Sequence, residues 1–379
     1  MAKLELIATS TFGMEALVKK EIKELGYEIK EVENGRITFS GDLMAVARAN
    51  IWLRTAERVL VKMADFKALD FDQLYEGVKD VNWADWLPQS AEFPVSGKSI
   101  DSQLSSVPTC QSIVKKAIVD KLKEDYQQKW FAEDGPLFGV EVAIYKDRVI
   151  ISLDSSGAGL HKRGYRKLSV TAPIQETLAA GLVYLSRWDK DRILIDPFCG
   201  SGTILIEAAM MAKNQAPGLK RKFSAQKWPI FQDFEWEKAR VEAKKAKKIN
   251  VEPRLIMGYD SDPEAVSIAR YHAREAGVEE IIHFQEQEFK EFSTSRKYGY
   301  VITNPPYGER MGDEAEIKEL YQLLGEKLLK LPTWSYYIIT SYTEFENIFG
   351  KEASKRRKLY NGGVETQYYQ YYGPWPPKN

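Results

Sequence analysis

Only two cysteines occur in the chain, Cys110 and Cys199, far apart and with no C-x-x-C pair or cysteine/histidine spacing suited to a metal. That scarcity excludes a disulfide-stapled secreted scaffold, argues against a structural metal, and points to a reducing compartment. Charge of one sign is lacking as well: 54 lysine and arginine residues balance 54 aspartate and glutamate residues. No global field draws the chain to nucleic acid, so any such contact has to come from local basic clusters. Long hydrophobic runs are missing too. The opening MAKLELIATS has no apolar core of signal-peptide length, and no stretch reaches membrane-spanning length. A cytoplasmic, soluble protein with no membrane partner is therefore expected. At 379 residues the chain exceeds one ordinary domain, and two or three are expected.

What is present is organised around the run RILIDPFCGSGTILIEAAMM, from Arg192 to Met211. Ile193, Leu194 and Ile195 form a short apolar run without alternation, as in a parallel strand buried on both faces. Asp196 and Pro197 end it. Gly200 and Gly202 then allow a sharp turn with backbone N–H groups close to a ligand, and a helix begins near Thr203 with Ile204, Leu205, Ala208, Ala209 and Ala212 as its apolar stripe. Such a loop at a helix N-terminus suits a nucleotide-like ligand. A dinucleotide site calls for G-x-G-x-x-G, but Leu205 stands at the third glycine position. A phosphate-cradling loop calls for a lysine after its second glycine, which is absent here. A third ligand class, adenosine joined to a sulfonium amino acid, carries no phosphate; Asp196 would face its ammonium and the glycines would let it lie across the sheet edge. An ordinary strand-to-helix turn remains the alternative for this loop taken alone.

A second motif weighs against that alternative. Tyr300, Val301, Ile302 and Thr303 form another short strand-like run, which ends in Asn304, Pro305, Pro306, Tyr307 and Gly308. Two prolines cannot continue a central strand, so hydrogen bonding along the sheet stops where the polar Asn304 appears. An amide, a free backbone carbonyl and an aromatic ring then stand at the C-terminal edge of a sheet, where open α/β folds bind ligands. This suits methylation of an exocyclic amine, whose lone pair is delocalised into its ring. If the Asn304 side-chain oxygen and the Pro305 carbonyl accept the two amine protons, the nitrogen can move toward sp3 and aim its lone pair at a methyl group, with Tyr307 stacked on the base. The competing reading is a plain Asn-Pro turn. Cys199 is inside the glycine turn, so packing suits it better than the nucleophilic role a pyrimidine C5 methyltransferase would need.

With these motifs, and with GYDSD at residues 258–262 and LHKRGYR at residues 160–166, the sequence resembles the bacterial class I S-adenosylmethionine-dependent RNA methyltransferases that carry an N-terminal THUMP domain, in particular the 23S rRNA guanine-N2-methyltransferase group. The resemblance covers nearly the whole chain. It implies a ferredoxin-like subdomain at residues 1–58, a THUMP domain that binds structured RNA at residues 59–160, and a Rossmann-like methyltransferase domain at residues 161–379, with S-adenosylmethionine as cofactor, rRNA as partner and no metal. It further implies donor contacts from Thr171, Pro173, Asp196, Phe198, Gly200, Ser201, Gly202, Thr203, Asp260, Ser261, Glu288 and Asn304, with Asn304, Pro305, Pro306 and Tyr307 as the catalytic set. Asp260 ends a strand where its carboxylate can accept both ribose hydroxyls. Glu288 stands where the family pattern usually has aspartate. RNA contacts are implied for Lys115, Lys116, His161, Lys162, Arg163, Tyr165, Arg166 and Arg310. A DNA adenine or cytosine aminomethyltransferase shares the two motifs and is one alternative; a non-catalytic RNA-binding ribosome-assembly factor is the other.

Along the chain, residues 3–60 give a βαββα pattern with a hairpin signal at Asn34-Gly35, and a second α/β pattern runs to Gly159 with a hairpin at Lys146-Asp147. Pro108 to Lys123 reads as an amphipathic helix with Lys115, Lys116 and Lys121 outward. Basic residues interleaved with an aromatic in LHKRGYRK suit a phosphate backbone and a stacked base. A helix is expected from Thr171 to about Trp188. The insertion from about Lys213 to Pro253 is aromatic and basic and then a lysine-rich helix; it can line a nucleic-acid groove or equally cover the sheet. Lys355 to Lys358 form a basic cluster, and Gln367 to Tyr372 read as the last strand, giving a mostly parallel sheet that ends in a hairpin.

Overall fold

A computed structural model of the protein describes residues 3–168, 174–248, 255–306 and 314–377. Within them the chain divides into two compact units. One is drawn from Met1–Ser10, Val18–Leu160 and Arg221–Ala243, the other from Thr11–Leu17, His161–Lys220 and Lys244–Asn379.

The first unit is built on strands β1 (Leu4–Ser10), β2 (Glu28–Glu33), β3 (Arg36–Gly41), β4 (Ala56–Lys67), β5 (Val95–Ile100), β6 (Gly139–Tyr145) and β7 (Arg148–Asp154). Its helices are α1 (Glu15–Glu24), which begins in the second unit's segment, α2 (Leu43–Trp52), α3 (Phe71–Lys79) and α4 (Val107–Tyr126). The strands form one sheet in the order β2-β3-β1-β4-β7-β6-β5. Because β4 is 12 residues long and pairs with β1 on one edge and β7 on the other, the two α/β patterns of the sequence share a continuous sheet. Both hairpin signals hold. Gly35 turns with φ +75°, and Lys146 and Asp147 both take positive φ, the pair of left-handed residues a two-residue turn of this hand requires. Asp42 and Asp70 cap α2 and α3 by accepting from Ala45 N and Gln73 N, each at 2.8 Å.

Residues 221–243 decide the question left open for the insertion. Trp228 stacks on Phe138 at 4.7 Å and donates its indole N–H to the Leu137 carbonyl at 2.9 Å, while Phe223 stacks on Trp236 at 5.2 Å. The rings of Trp228, Phe138, Phe223 and Trp236 are all buried, so this part of the insertion is hydrophobic cover for the first unit.

The second unit contains α5 (Glu176–Ser186), β8 (Leu194–Asp196), α6 (Thr203–Ala212), β9 (Ile256–Asp260), α8 (Pro263–Ala276), β10 (Ile282–Glu286), β11 (Tyr300–Thr303), α9 (Glu314–Leu328), β12 (Ser335–Thr340), α10 (Phe345–Phe349), β13 (Lys355–Asn361) and β14 (Val364–Tyr371); α7 (Asp233–Ala246) is the helix of the insertion. The sheet order is β10-β9-β8-β11-β12-β14-β13. Strands β8 to β12 run parallel, and β14 is antiparallel to both its neighbours, as the sequence led us to expect. The basic cluster Lys355–Lys358 is part of β13, a sheet edge, where charged side chains discourage further strand pairing. Helix α5 begins at Glu176, later than the start expected at Thr171, because Gln175 before it is extended (φ −68°, ψ 144°); Thr171 itself lies outside the described residues. Apolar residues pack on both faces of this sheet: α5, α6 and α8 with Met14 on one, α9 and α10 with Tyr336 and Tyr369 on the other. Strand order reverses around β8, whose neighbours β9 and β11 carry the chain off in opposite directions; ligands of open α/β sheets bind in the crevice this leaves at the strand C-termini.

Trp228 is 1% exposed, so truncating it opens a large cavity, and Trp228→Ala should destabilise the first unit by about 3–5 kcal/mol. Urea unfolding of the full chain measures this. A variant as stable as the parent would show that the insertion is no part of that core.

Candidate active site

Each of the two motifs ends a strand of the second unit, and the strand pairing brings them together. Tyr300 and Val301 of β11 lie beside Leu194 and Ile195 of β8, so Asp196 and Thr303 finish side by side. The Thr303 hydroxyl donates to Asp196 Oδ1 at 2.7 Å, and the same oxygen accepts from Phe198 N at 3.1 Å. On the other side of β8, Asp196 pairs with Gly258 of β9, two residues before Asp260. Gly200 N donates to Asp260 Oδ2 at 2.8 Å and Asp262 N to Asp260 Oδ1 at 3.1 Å. Asp196, the glycine loop, Asp260 and Asn304 thus line one edge.

The loop takes this shape because Gly200 and Gly202 both adopt positive φ, +50° and +78°. A Cβ on Gly202 would stand 2.9 Å from the Phe284 ring and 3.1 Å from Ala269, so helix and sheet leave it no room, whereas one on Gly200 would meet nothing within 4 Å. The open side of the turn therefore faces the strand ends. Below it, the His272 ring nitrogen lies 3.4 Å from the Ser201 carbonyl, and burial holds its pKa below the ordinary value. Ser201 and Thr203 face each other through their hydroxyls at 3.2 Å, and Phe198 packs on Phe289 at 5.0 Å.

Burial pushes the Asp196 carboxyl up to about 7, against the lowering effect of its Thr303 and Phe198 hydrogen bonds. Burial also raises Asp260. Cys199 is buried with its thiol pushed well up, which agrees with packing and not with nucleophilic duty. Asn304 Oδ1 is buried and has no hydrogen-bond partner among the described residues. Its neighbour Pro305 is buried, and the Pro306 carbonyl accepts from the Tyr321 hydroxyl at 3.1 Å.

Donor-site candidates fit an adenosyl ligand with a charged amino-acid end. Each Asp260 oxygen already accepts one backbone N–H and keeps capacity for one more donor, as two ribose hydroxyls need. The turn is open over Gly200, and Asp196 is the acid at the centre of the strand edge. Ser261 is exposed, and Glu288 is largely exposed and paired with Lys290. Thr171, Pro173, Tyr307 and Arg310 lie outside the described residues. Among the described residues no group of three or more His, Cys, Asp or Glu is placed to hold a metal, and no helix is long and apolar enough to cross a membrane.

The basic candidates separate into two kinds. Arg163 and Tyr165, expected to meet a phosphate and a base, are each 3% exposed, and this expectation is corrected. Arg163 Nε and the Tyr165 hydroxyl both donate to Glu207 Oε1, at 3.4 and 3.2 Å. Glu207 is fully buried on α6, where an unpaired carboxylate would be very costly, so the cation and phenol are drawn inward to it. Arg166 bonds the Ile174 carbonyl and pairs with Glu176, each at 3.1 Å. Lys115 is held by Glu133 at 2.7 Å over the Phe93 ring. His161 is half-buried, while Lys116 and Lys162 are exposed. Thr303, Tyr321 and His272 were not singled out from the sequence; a polar residue closing an otherwise apolar strand was the available signal for Thr303.

Three family profiles match: the ferredoxin-like domain of RlmL over residues 5–60, the THUMP domain over residues 68–154, and the RMKL-like methyltransferase domain over residues 163–370. A putative RNA methyltransferase, YpsC, of Bacillus subtilis is 47% identical over 100% of this chain and 98% of its own. The ribosomal RNA large subunit methyltransferase K/L of Syntrophotalea carbinolica is 34% identical over 97% of this chain and 53% of its own length. A putative methyltransferase crystallised with SAH superposes with a TM-score of 0.93, at 40% identity and full coverage of both chains.

The acidity of Asp196 has a measurable sign. Its folded-state value, about 7, lies above the ordinary 3.8, so between these limits the folded chain keeps a proton that the unfolded chain has lost. Stability therefore falls as pH rises through that window, by at most ~1.4 kcal/mol per pH unit, and levels off above it. Asp196→Asn should remove the loss, so the stability of the variant relative to the parent should grow from pH 5 to pH 7 and then stay level in urea titrations. A constant offset would mean that Asp196 is ionised throughout.

Proposed function

Because this chain belongs to the family of RMKL-like methyltransferases with ferredoxin-like and THUMP domains, we propose that it methylates the exocyclic N2 amine of a guanine in 23S rRNA. It is an S-adenosylmethionine-dependent RNA methyltransferase, and its catalytic unit is the second unit described above. The observation that carries the finer reading is the buried Oδ1 of Asn304 at the end of β11, which has no hydrogen-bond partner among the described residues and lies beside the donor-site residues of β8 and β9.

The bound donor supplies a methyl group on a sulfonium centre. Asp260 holds ribose hydroxyls, the Gly200–Thr203 turn lets the ligand approach the backbone, and Asp196 faces the amino-acid end. Asn304 Oδ1 and the Pro305 carbonyl accept the two protons of the target amine, and its lone pair turns out of the ring plane toward the methyl carbon. As the new N–C bond forms, the C–S bond breaks, and the amine releases one proton to solvent. The site needs no covalent enzyme intermediate: it works by orientation and by acceptors fixed before the reaction. A paired base presents its amine edge inside the helix, so the guanine has to be unstacked or flipped out to reach Asn304. The THUMP match at residues 68–154 favours RNA over DNA as the acceptor. Lys116 and Lys162, the exposed cations among the candidates, would contact its backbone.

Two variants test the residue roles. Asn304→Ala should leave donor affinity near that of the parent and collapse methyl transfer to in vitro transcribed 23S rRNA, whereas Asp260→Ala should weaken donor binding, on the order of 1.5–3 kcal/mol for each charge-assisted bond lost. Calorimetry and single-turnover transfer separate the two. Unimpaired transfer by the first or unchanged affinity in the second removes the assigned role. Nucleoside analysis of the product identifies the base; methyladenosine, or preferential transfer to duplex DNA, would overturn the guanine-N2 reading.

A further inference from the structure

Beyond the end of β11 the chain from Asn304 to Pro306 must hold one backbone geometry without belonging to the sheet. We infer that Tyr321, on α9, is a positioning residue for the acceptor-amine site, and that it acts through the Pro306 carbonyl. This inference rests on the catalytic reading of Asn304.

Tyr321 is fully buried. Its ring is held edge-on by Phe345 at 5.1 Å and Tyr342 at 5.7 Å. Its hydroxyl lies 3.1 Å from the Pro306 carbonyl and 2.8 Å from Thr340 Oγ1, at the end of β12. The direction of these bonds follows from the proton count. A carbonyl can only accept, so the single Tyr321 proton goes to Pro306, and the Thr340 hydroxyl has to donate to Tyr321. Thr340 Oγ1 in turn accepts from Tyr342 N at 3.1 Å. The result is a one-way relay from Tyr342 N through Thr340 and Tyr321 to the Pro306 carbonyl, in which each bond polarises the next.

The relay fixes more than Pro306. Proline rings lock φ at residues 305 and 306, so the soft torsions between Asn304 and the Pro306 carbonyl are the three ψ angles of Asn304, Pro305 and Pro306. The upstream end is already pinned, because Thr303 is in β11 and its hydroxyl is bonded to Asp196. Anchoring the Pro306 carbonyl closes the frame at its downstream end. The two acceptors that the reaction uses, Asn304 Oδ1 and the Pro305 carbonyl, lie between these pins. Tyr321 touches neither reactant; it holds the segment that does.

Tyr321→Phe keeps the ring and its aromatic contacts and deletes only the hydroxyl. The expected result is a single-turnover rate on in vitro transcribed 23S rRNA reduced on the order of 10- to 100-fold, the scale of a small misplacement of a reacting group. Donor affinity by calorimetry and the rRNA concentration for half-maximal rate should stay within about two-fold, since neither is set by the relay. Thr340→Val, which spares the Tyr321–Pro306 bond and removes its support, should lose less, and the double variant should be no worse than Tyr321→Phe alone. Full rate in Tyr321→Phe beside a collapsed Asn304→Ala overturns the positioning role and leaves the proposed function standing. Full rate in both overturns both. A Tyr321→Phe defect that comes with equal loss of donor affinity, or additive losses in the double variant, also counts against the inference, because it marks general loosening of the fold.

Discussion

The hydrogen bond from Thr303 to Asp196 joins the ends of β11 and β8 at 2.7 Å, and the arrangement of the catalytic unit depends on it. A parallel sheet leaves its strand ends free to diverge once ladder bonding stops. This side-chain bond carries the register of the sheet one step beyond the last backbone pair, Val301 with Ile195. It also places the acid of the donor loop and the residue before the acceptor amide in direct contact. Asp196 is 2% exposed, and the bond joins that from Phe198 N in offsetting the cost of burying its carboxyl.

The features legible in the sequence share one property: their chemistry is contained in consecutive residues. A strand that stops at Asp196-Pro197, a turn that needs Gly200 and Gly202, and a strand that stops at Asn304-Pro305 can each be read without knowing the partner, and the parallel sheet with its final hairpin followed from the same local patterns. Features set by distant partners were not legible. Tyr321 reads as one more apolar-face residue of a helix until β12 puts Thr340 beside it. The aromatic insertion could line a groove or cover a core, and only the Phe138 and Leu137 contacts of Trp228 decide.

Arg163 and Tyr165 show the same limit with the opposite outcome. Basic and aromatic residues around a glycine have one composition whether they face a phosphate or a buried carboxylate. Here the anion is Glu207, 44 residues further along, on a helix whose apolar stripe gave no reason to look for a charge. Once that carboxylate is inside, Arg163 and Tyr165 must follow it, and the surface left for an RNA backbone is correspondingly smaller. In a chain with no net charge, this places more weight on the RNA-contact candidates that stay exposed, Lys116 and Lys162.

Three strand ends of the catalytic unit carry a short acid or amide, and they differ in one respect that explains the paired prolines. Asp196 Oδ1 accepts from the backbone N–H two residues on, that of Phe198, at 3.1 Å, and Asp260 Oδ1 does the same with Asp262 at 3.1 Å. This closure is the usual fate of an Asx side chain leaving a strand. Asn304 cannot follow, because the residue two positions on is Pro306 and has no N–H; nor has Pro305 between them. Its carbonyl oxygen is thereby denied the nearest local donors and has no hydrogen-bond partner among the described residues. A buried acceptor without a partner costs on the order of 1–3 kcal/mol. The sheet on one side and the Tyr321 bond on the other resist the relaxation that would remove that cost. An acceptor kept vacant in this way is available to an incoming amine without first breaking a bond of its own, which is what catalysis by pre-positioned hydrogen bonds requires.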